Sequence, residues 1–135
     1  MMNIFESTRQ LETKENSLRY QVQALDDARR RYFFDEQSQR VKDPDTYAVL
    51  NWFFIGGIHH FYLRQYGLFL GEVCCLVLAV IALSIGIAFG WFLVAMLLLV
   101  ELPQLFYAQK IVRQYNYHIS TQILCEAREK ALVRR

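Results

Sequence analysis

The chain has 135 residues, 54% of them apolar and 21% charged, with a net charge of +2. That length leaves room for one compact unit, and so small a charge gives no electrostatic footprint for nucleic acid. Charge and apolarity are segregated. Residues 1–46 carry eight Lys or Arg and nine Asp or Glu, while Val73–Val100 carries no charge at all. This pattern predicts an all-α membrane protein with polar ends. The long hydrophilic start predicts no cleavable signal peptide, so the first membrane segment would direct insertion.

Residues 1–42 read as an N-terminal helix, continuous from 3 to 42. Asn3 followed by Glu6 fits a capping pair. Ile4, Leu11, Leu18, Leu25 and Tyr32 recur every seven residues, the spacing of a coiled coil. The companion positions Thr8, Glu15, Val22 and Arg29 are mostly polar, so the stripe is thin. It serves either as the contact line of a solvated helix lying on another part of a complex, or as a pairing face for copies or a partner. Glu15–Arg19, Asp26–Arg30 and Asp27–Arg31 are spaced as i,i+4 pairs. The run Arg29–Arg31, preceded by two acids, reads as a solvated face.

Asp43-Pro44-Asp45 ends this helix, and Asp45 or Thr46 can cap the next. Residues 46–108 are the predicted membrane domain. As a helix, Tyr47–Ile58 is roughly 18 Å long, against a hydrocarbon core of about 30 Å. Carried on to Leu63 it reaches the lower limit for a crossing but must then bury His59 and His60. It reads as a short membrane helix, re-entrant or interfacial, with a tilted third crossing as the alternative. Gly67–Tyr107 holds only two charges, Glu72 and Glu101. It fits a transmembrane hairpin of two helices with the turn at Gly86–Gly90 and Trp91 near the far interface. Residues 109–135 form an amphipathic C-terminal helix, in which Ile119, Ile123, Ala127 and Ala131 recur every four residues and Glu126–Lys130 is spaced as a pair.

Arg40 and Lys42 precede the membrane domain, Lys110 and Arg113 follow it, and His59, His60 and Arg64 lie between the short segment and the hairpin. The turn near Gly86 carries no charge. The positive-inside rule therefore puts both termini in the cytoplasm, with two full crossings. In a bacterium the location would be the inner membrane. Three crossings would place the basic C-terminus outside.

The most specific local motif is Gly57-Ile58-His59-His60-Phe61-Tyr62-Leu63, followed by Gly67-Leu68. It resembles bacterial members of the two-transmembrane domain family. Their signature looks like Gly, a small or apolar residue, then His-Arg-Phe-Tyr-Leu-Gly, with Gly-Leu soon after. Related eukaryotic members show Asp-Arg-Phe at the same place, and further on the family tends to have a Trp with an acid a turn later and a closing Val-x-x-x-Asn. This chain supplies Trp91 and the run from Val112 to Asn116. The resemblance covers about residues 47–116 and rests on Gly57, His59, Phe61, Tyr62, Leu63, Gly67 and Asn116. His60 stands where the family has Arg, Arg64 where it has Gly, and Ala95 where an acid follows the Trp. The resemblance implies a small helical membrane domain. It implies no shared reaction, cofactor or substrate.

Counted from a turn at Ile87, Glu72 lies fifteen residues before and Glu101 fourteen after, so both fall at nearly one depth. This predicts a polar cluster in which Glu72 and Glu101 meet His59, His60 or Arg64, with a carbonyl opened by Pro103. Such groups either neutralise one another and pin the short segment to the hairpin, line an ion or proton path between copies, or snorkel to the interface. Adjacent histidines on a helix diverge by about 100°, and no third ligand sits at a helpful spacing, so no metal site is expected. Cys74, Cys75 and Cys125 suggest neither a disulfide framework nor a zinc site. No catalytic constellation or phosphate loop is present in the sequence, so neither an enzyme nor a cofactor is expected. Gly56-Gly57 reads as close helix packing, and Trp52, Phe53, Phe54, Phe61, Tyr62 and Tyr66 as an interfacial belt rather than a base-stacking surface. The functional expectation is a membrane-anchored interaction or scaffold subunit. Its partners are the lipid bilayer and either its own copies or a membrane protein complex. The alternative is an oligomeric ion channel or transport accessory with Glu72 and Glu101 in a polar path.

Overall fold

A computed structural model of the chain describes residues 7–52 and 57–129. The described residues form seven helices and no strand: α1 (Thr8–Gln23), α2 (Asp27–Arg40), α3 (Pro44–Trp52), α4 (Ile58–Tyr62), α5 (Tyr66–Ser84), α6 (Phe89–Phe106) and α7 (Ala108–Glu129). They divide into two units, one built from residues 1–42 with 110–135, the other from 43–109. The expectation of a single compact unit is thus corrected. Segments of opposite polarity do not share one core, so the terminal segments pack together and the middle packs on itself.

The expected single helix over 3–42 is broken at Ala24–Asp26. Asp26 takes an extended backbone, and its carboxylate accepts a hydrogen bond from the Arg29 N–H at 2.8 Å. It is therefore the N-cap of α2. The acids pair three residues on, Asp26 with Arg29 and Asp27 with Arg30, instead of four. At the other end of α1, Ser7 is the extended residue before the helix, and its N–H donates to Gln10 Oε1 at 3.2 Å. The expected cap at Asn3 and Glu6 lies outside the described residues.

The heptad stripe is occupied within the chain. Leu18 joins Val22, Phe33, Ile123 and Leu124 in one core, with Leu25, Tyr117 and Ile119 packed against it. Leu11 is also buried, and Tyr32 donates its hydroxyl to Glu126 at 3.2 Å. Ile4 lies outside the described residues. The thin stripe is thus explained by α7, which supplies both the missing apolar surface and counter-charges. Glu15 receives both arms of the Arg113 guanidinium, at 2.6 and 2.7 Å, rather than an arm of Arg19. This fork holds the Arg113 guanidinium above its ordinary value. Arg40 reaches Glu126 at 2.9 Å and Gln37 reaches Ser120 at 2.8 Å. Asn116 accepts from the Lys42 N–H and donates to the Lys42 carbonyl, both at 2.8 Å, which ties the end of the N-terminal segment to α7. Of the expected α7 face, Ile123 and Ala127 are buried and Ile119 is partly so. Ala131 and Lys130 lie outside the described residues.

In the second unit Pro44 occupies the first position of α3, where its missing N–H costs nothing. The cap is Asp43, not Asp45 or Thr46. One Asp43 carboxylate oxygen accepts from both the Thr46 hydroxyl and the Thr46 N–H at 2.7 Å. Those bonds, the hydroxyl first, hold the Asp43 carboxyl below its ordinary value. Helix α3 has nine residues and α4 five, so neither approaches the length of a crossing. Helices α5 and α6, of 19 and 18 residues, form the expected hairpin and are each about 27–28 Å long. The turn falls at Ile85–Ala88, with Gly86 at φ +80°. Gly90 lies against the Leu83 side chain and the Ala79 carbonyl, where any side chain would collide. Both helices are long and apolar enough to cross a membrane.

Candidate functional site

The second unit buries polar groups. Asn51 on α3, His59 and His60 on α4, and Glu101 on α6 are all at most 5% exposed. They meet because α3 and α4 both pack beside the hairpin. Spacing places them. Tyr47 and Asn51 are four apart on one face of α3, and Glu101 and Gln104 three apart on α6. Glu72, on α5, reaches in from the opposite helix of the hairpin.

The contacts form two linked sets. His60 lies between Glu72 and Gln65, its Nε2 3.0 Å from Glu72 Oε1 and its Nδ1 3.2 Å from Gln65 Oε1. His59 Nε2 lies 3.1 Å from Gln104 Oε1, the same oxygen that accepts the Tyr47 hydroxyl at 3.3 Å. The two imidazoles sit side by side with ring centres 4.1 Å apart, and Tyr47 meets His59 edge to face. Asn51 donates its side-chain N–H to the Glu101 carbonyl at 3.4 Å. A backbone carbonyl from the Pro103 region thus joins the cluster, and it is that of Glu101. The carboxyl of Glu101 lies within electrostatic reach of Glu72 and His60.

Burial, and then His60 beside it, push the His59 imidazole down to about 4, so it is neutral at ordinary pH. Burial, then the Glu72 charge, push the Tyr47 phenol up, which keeps it a donor. Two buried oxygens, Asn51 Oδ1 and Glu72 Oε2, have no hydrogen-bond partner.

Four of the five residues expected to cluster are thus brought together: Glu72, Glu101, His59 and His60. Arg64 is not among them. It is exposed, in the turn after α4, at φ +57°, a backbone conformation that suits glycine. The expectation that no third ligand lies near the two histidines fails. One donor atom from each of His59, His60 and Glu72 lies within 4.8 Å of the other two. Sequence reasoning missed the roles of Tyr47, Gln65 and Gln104. The only signal was their spacing from residues already singled out.

The motif residues divide by role. Gly57, at φ +72°, begins α4 against Glu72 Oε2, so a side chain there would displace the carboxylate. Leu63 is buried, and the Tyr62 hydroxyl accepts from the Asp43 N–H at 3.0 Å. Phe61 is exposed but meets Tyr66 and Phe69 edge on. Gly67 has open space around it. Asn116 belongs to the other unit, where it holds Lys42.

Comparison of the chain with protein-family models, curated proteins and solved structures finds no match.

Proposed function

We propose that this chain is an integral membrane protein that serves as a membrane-anchored interaction or scaffold subunit without catalysis. The observation that carries the reading is the inverted burial of α5 and α6. In their most apolar stretches only 6% and 11% of positions are buried, whereas the core helix of a water-soluble protein is mostly covered. Leu70, Leu78, Ile81, Phe92 and Leu99 all stand exposed. A bilayer is the solvent that makes such a surface favourable.

The first unit supports two crossings over three. Its core joins Leu18, Val22 and Phe33, which precede the hairpin, to Ile123 and Leu124, which follow it. A core shared by both flanks favours their lying on one side of the bilayer, which takes an even number of crossings. The positive charges around both flanks favour the cytoplasmic side. The short helices α3 and α4 then lie in or dip into the interface. The resemblance of the local motif to the two-transmembrane domain family, which no family model bears out, would imply the same plan.

The polar cluster is turned in on itself within one chain, with Glu72 facing His60 and Asn51 facing Glu101. That supports a structural role over a conducting path lined between copies. Ion flux through vesicles holding only this protein would reverse the preference.

Topology is tested by single thiols: Cys125 alone in a background lacking Cys74 and Cys75, and each introduced cysteine in a background lacking all three native ones. Native Cys125 and an Arg9→Cys change should react with an impermeant reagent from one side, and Ala88→Cys from the other. Reaction of residues 9 and 125 from opposite sides would sink the two-crossing plan. The scaffold role is tested by mass in mild detergent, with co-purifying chains identified. A lone monomer would overturn it.

A further inference from the structure

The hydrogen bonds of the two histidines fix where their protons sit. An amide oxygen only accepts. Gln104 Oε1, which already accepts the Tyr47 hydroxyl, must therefore take the N–H of His59 Nε2. His59 is left with a lone pair on Nδ1. Gln65 Oε1 takes the N–H of His60 Nδ1 in the same way, leaving a lone pair on Nε2. That nitrogen faces a Glu72 oxygen at 3.0 Å. A neutral imidazole nitrogen and a carboxylate oxygen are both acceptors, so a positive charge has to lie between them. A proton would serve only that pair. It would leave Glu72 Oε2 buried without a partner and the His59 lone pair unused. One cation shared by three ligands would serve all of them.

We propose that His59, His60 and Glu72 form a site for a divalent transition-metal ion of the zinc class, which fastens α4 to α5. Two imidazole nitrogens and one carboxylate oxygen make a donor set suited to Zn2+, not to the all-oxygen preference of Mg2+ or Ca2+. The three donor atoms already lie within 4.8 Å of one another. Tetrahedral bonds of about 2.1 Å separate ligand atoms by roughly 3.4 Å, so the His60–Glu72 pair at 3.0 Å is already near that separation, His59 has to move in from within the 4.8 Å limit, and a water or other small ligand takes the fourth position. Gln104 and Gln65 are the outer shell, each holding the N–H of one ligand ring and so setting its tautomer. The charge also balances. Glu72 and Glu101 lie within electrostatic reach of each other, and a dication offsets negative charge held there. Gly57 leaves room for the Glu72 carboxylate where any side chain would collide with it. The site is independent of the scaffold reading.

The test uses the full chain in detergent, stripped with chelator and titrated with Co2+ and then Zn2+. One Co2+ per chain is expected, with the intense visible bands of four-coordination, no sulfur-to-cobalt charge transfer, and displacement by Zn2+. Glu72→Gln and His60→Ala should each weaken binding by about 100-fold or more, and Gln104→Ala by about 10–100-fold. His118→Ala, at an exposed position on α7, should leave binding unchanged. Retained helical circular dichroism and elution volume show that a variant folds. Should one not fold, X-ray absorption of the zinc-loaded wild-type chain gives a separate readout, with two imidazoles and an oxygen expected around the metal. No stoichiometric binding, a sulfur ligand, or affinity unchanged in folded Glu72→Gln would overturn the site.

Discussion

In the unit built from residues 7–42 and 110–129, Phe33, Ile123 and Leu124 are buried, and charged side chains such as Glu15, Arg40 and Arg113 tie its surface together. In the unit of residues 43–109, Asn51, His59, His60 and Glu101 are buried, and Leu70, Leu78 and Leu99 face outward. On the membrane-anchored reading proposed above, the same chain packs by one rule against two solvents. Where water is the surroundings, apolar groups are removed from it. Where hydrocarbon is, the polar groups have to find one another.

The comparison breaks most sharply at a core aromatic. Phe33→Ala should cost the first unit about 3–5 kcal/mol, read by denaturant unfolding or amide exchange in α1, α2 and α7. The matching truncation on the exposed surface of the second unit, Leu99→Ala, should stay within about 0.5 kcal/mol. Equal costs would mean that α6 is covered by protein. Next is a charge placed on that surface. Leu78→Arg, near the middle of α5, should raise the cost of insertion by about 2.5–3.5 kcal/mol, seen as protein released by alkaline extraction. Unchanged retention would argue against a lipid-facing Leu78.

A smaller effect belongs to the first unit. Asn116→Ala removes two hydrogen bonds to the Lys42 backbone and should cost about 1–3 kcal/mol, with faster exchange of the Lys42 amide. The smallest concerns Asp43. Its carboxyl is held below the usual range in the fold, so its contribution is fully present above the unfolded value of about 3.8. That contribution is lost as pH falls through the lower folded value. Thr46 amide protection should therefore be greater in wild type than in Asp43→Ala near neutrality, and the difference should vanish in acid. A difference that persists in acid would remove the carboxylate from the cap.

The hairpin was legible because composition alone dictates it. An uncharged run from Val73 to Val100 with glycines near its centre has few other solutions. Depth counting from the turn also brought Glu72 and Glu101 together, because helical rise is constant. The break at Ala24–Asp26 was not legible. Asp26 and Asp27 suit helix pairing and N-capping equally, and only the return of α7 favours the turn. The heptad spacing points to a copy or a second protein, whereas Leu18 on that stripe packs against α7, about a hundred residues away in the same chain. Gln65 and Gln104 were invisible for a similar reason: an amide gains meaning only from the ring it faces.

The interleaved construction of the first unit dictates an order of assembly. Leu18, Val22 and Phe33 leave the ribosome long before Ile123 and Leu124 exist to cover them, and the whole hairpin is made in between. The N-terminal segment therefore waits, apolar face open, until the hairpin has been delivered and the last helix emerges. A chain that stalls within the hairpin never closes that face. Completion of the unit thus reports that the whole chain has been made, and an uncovered stripe marks an unfinished one.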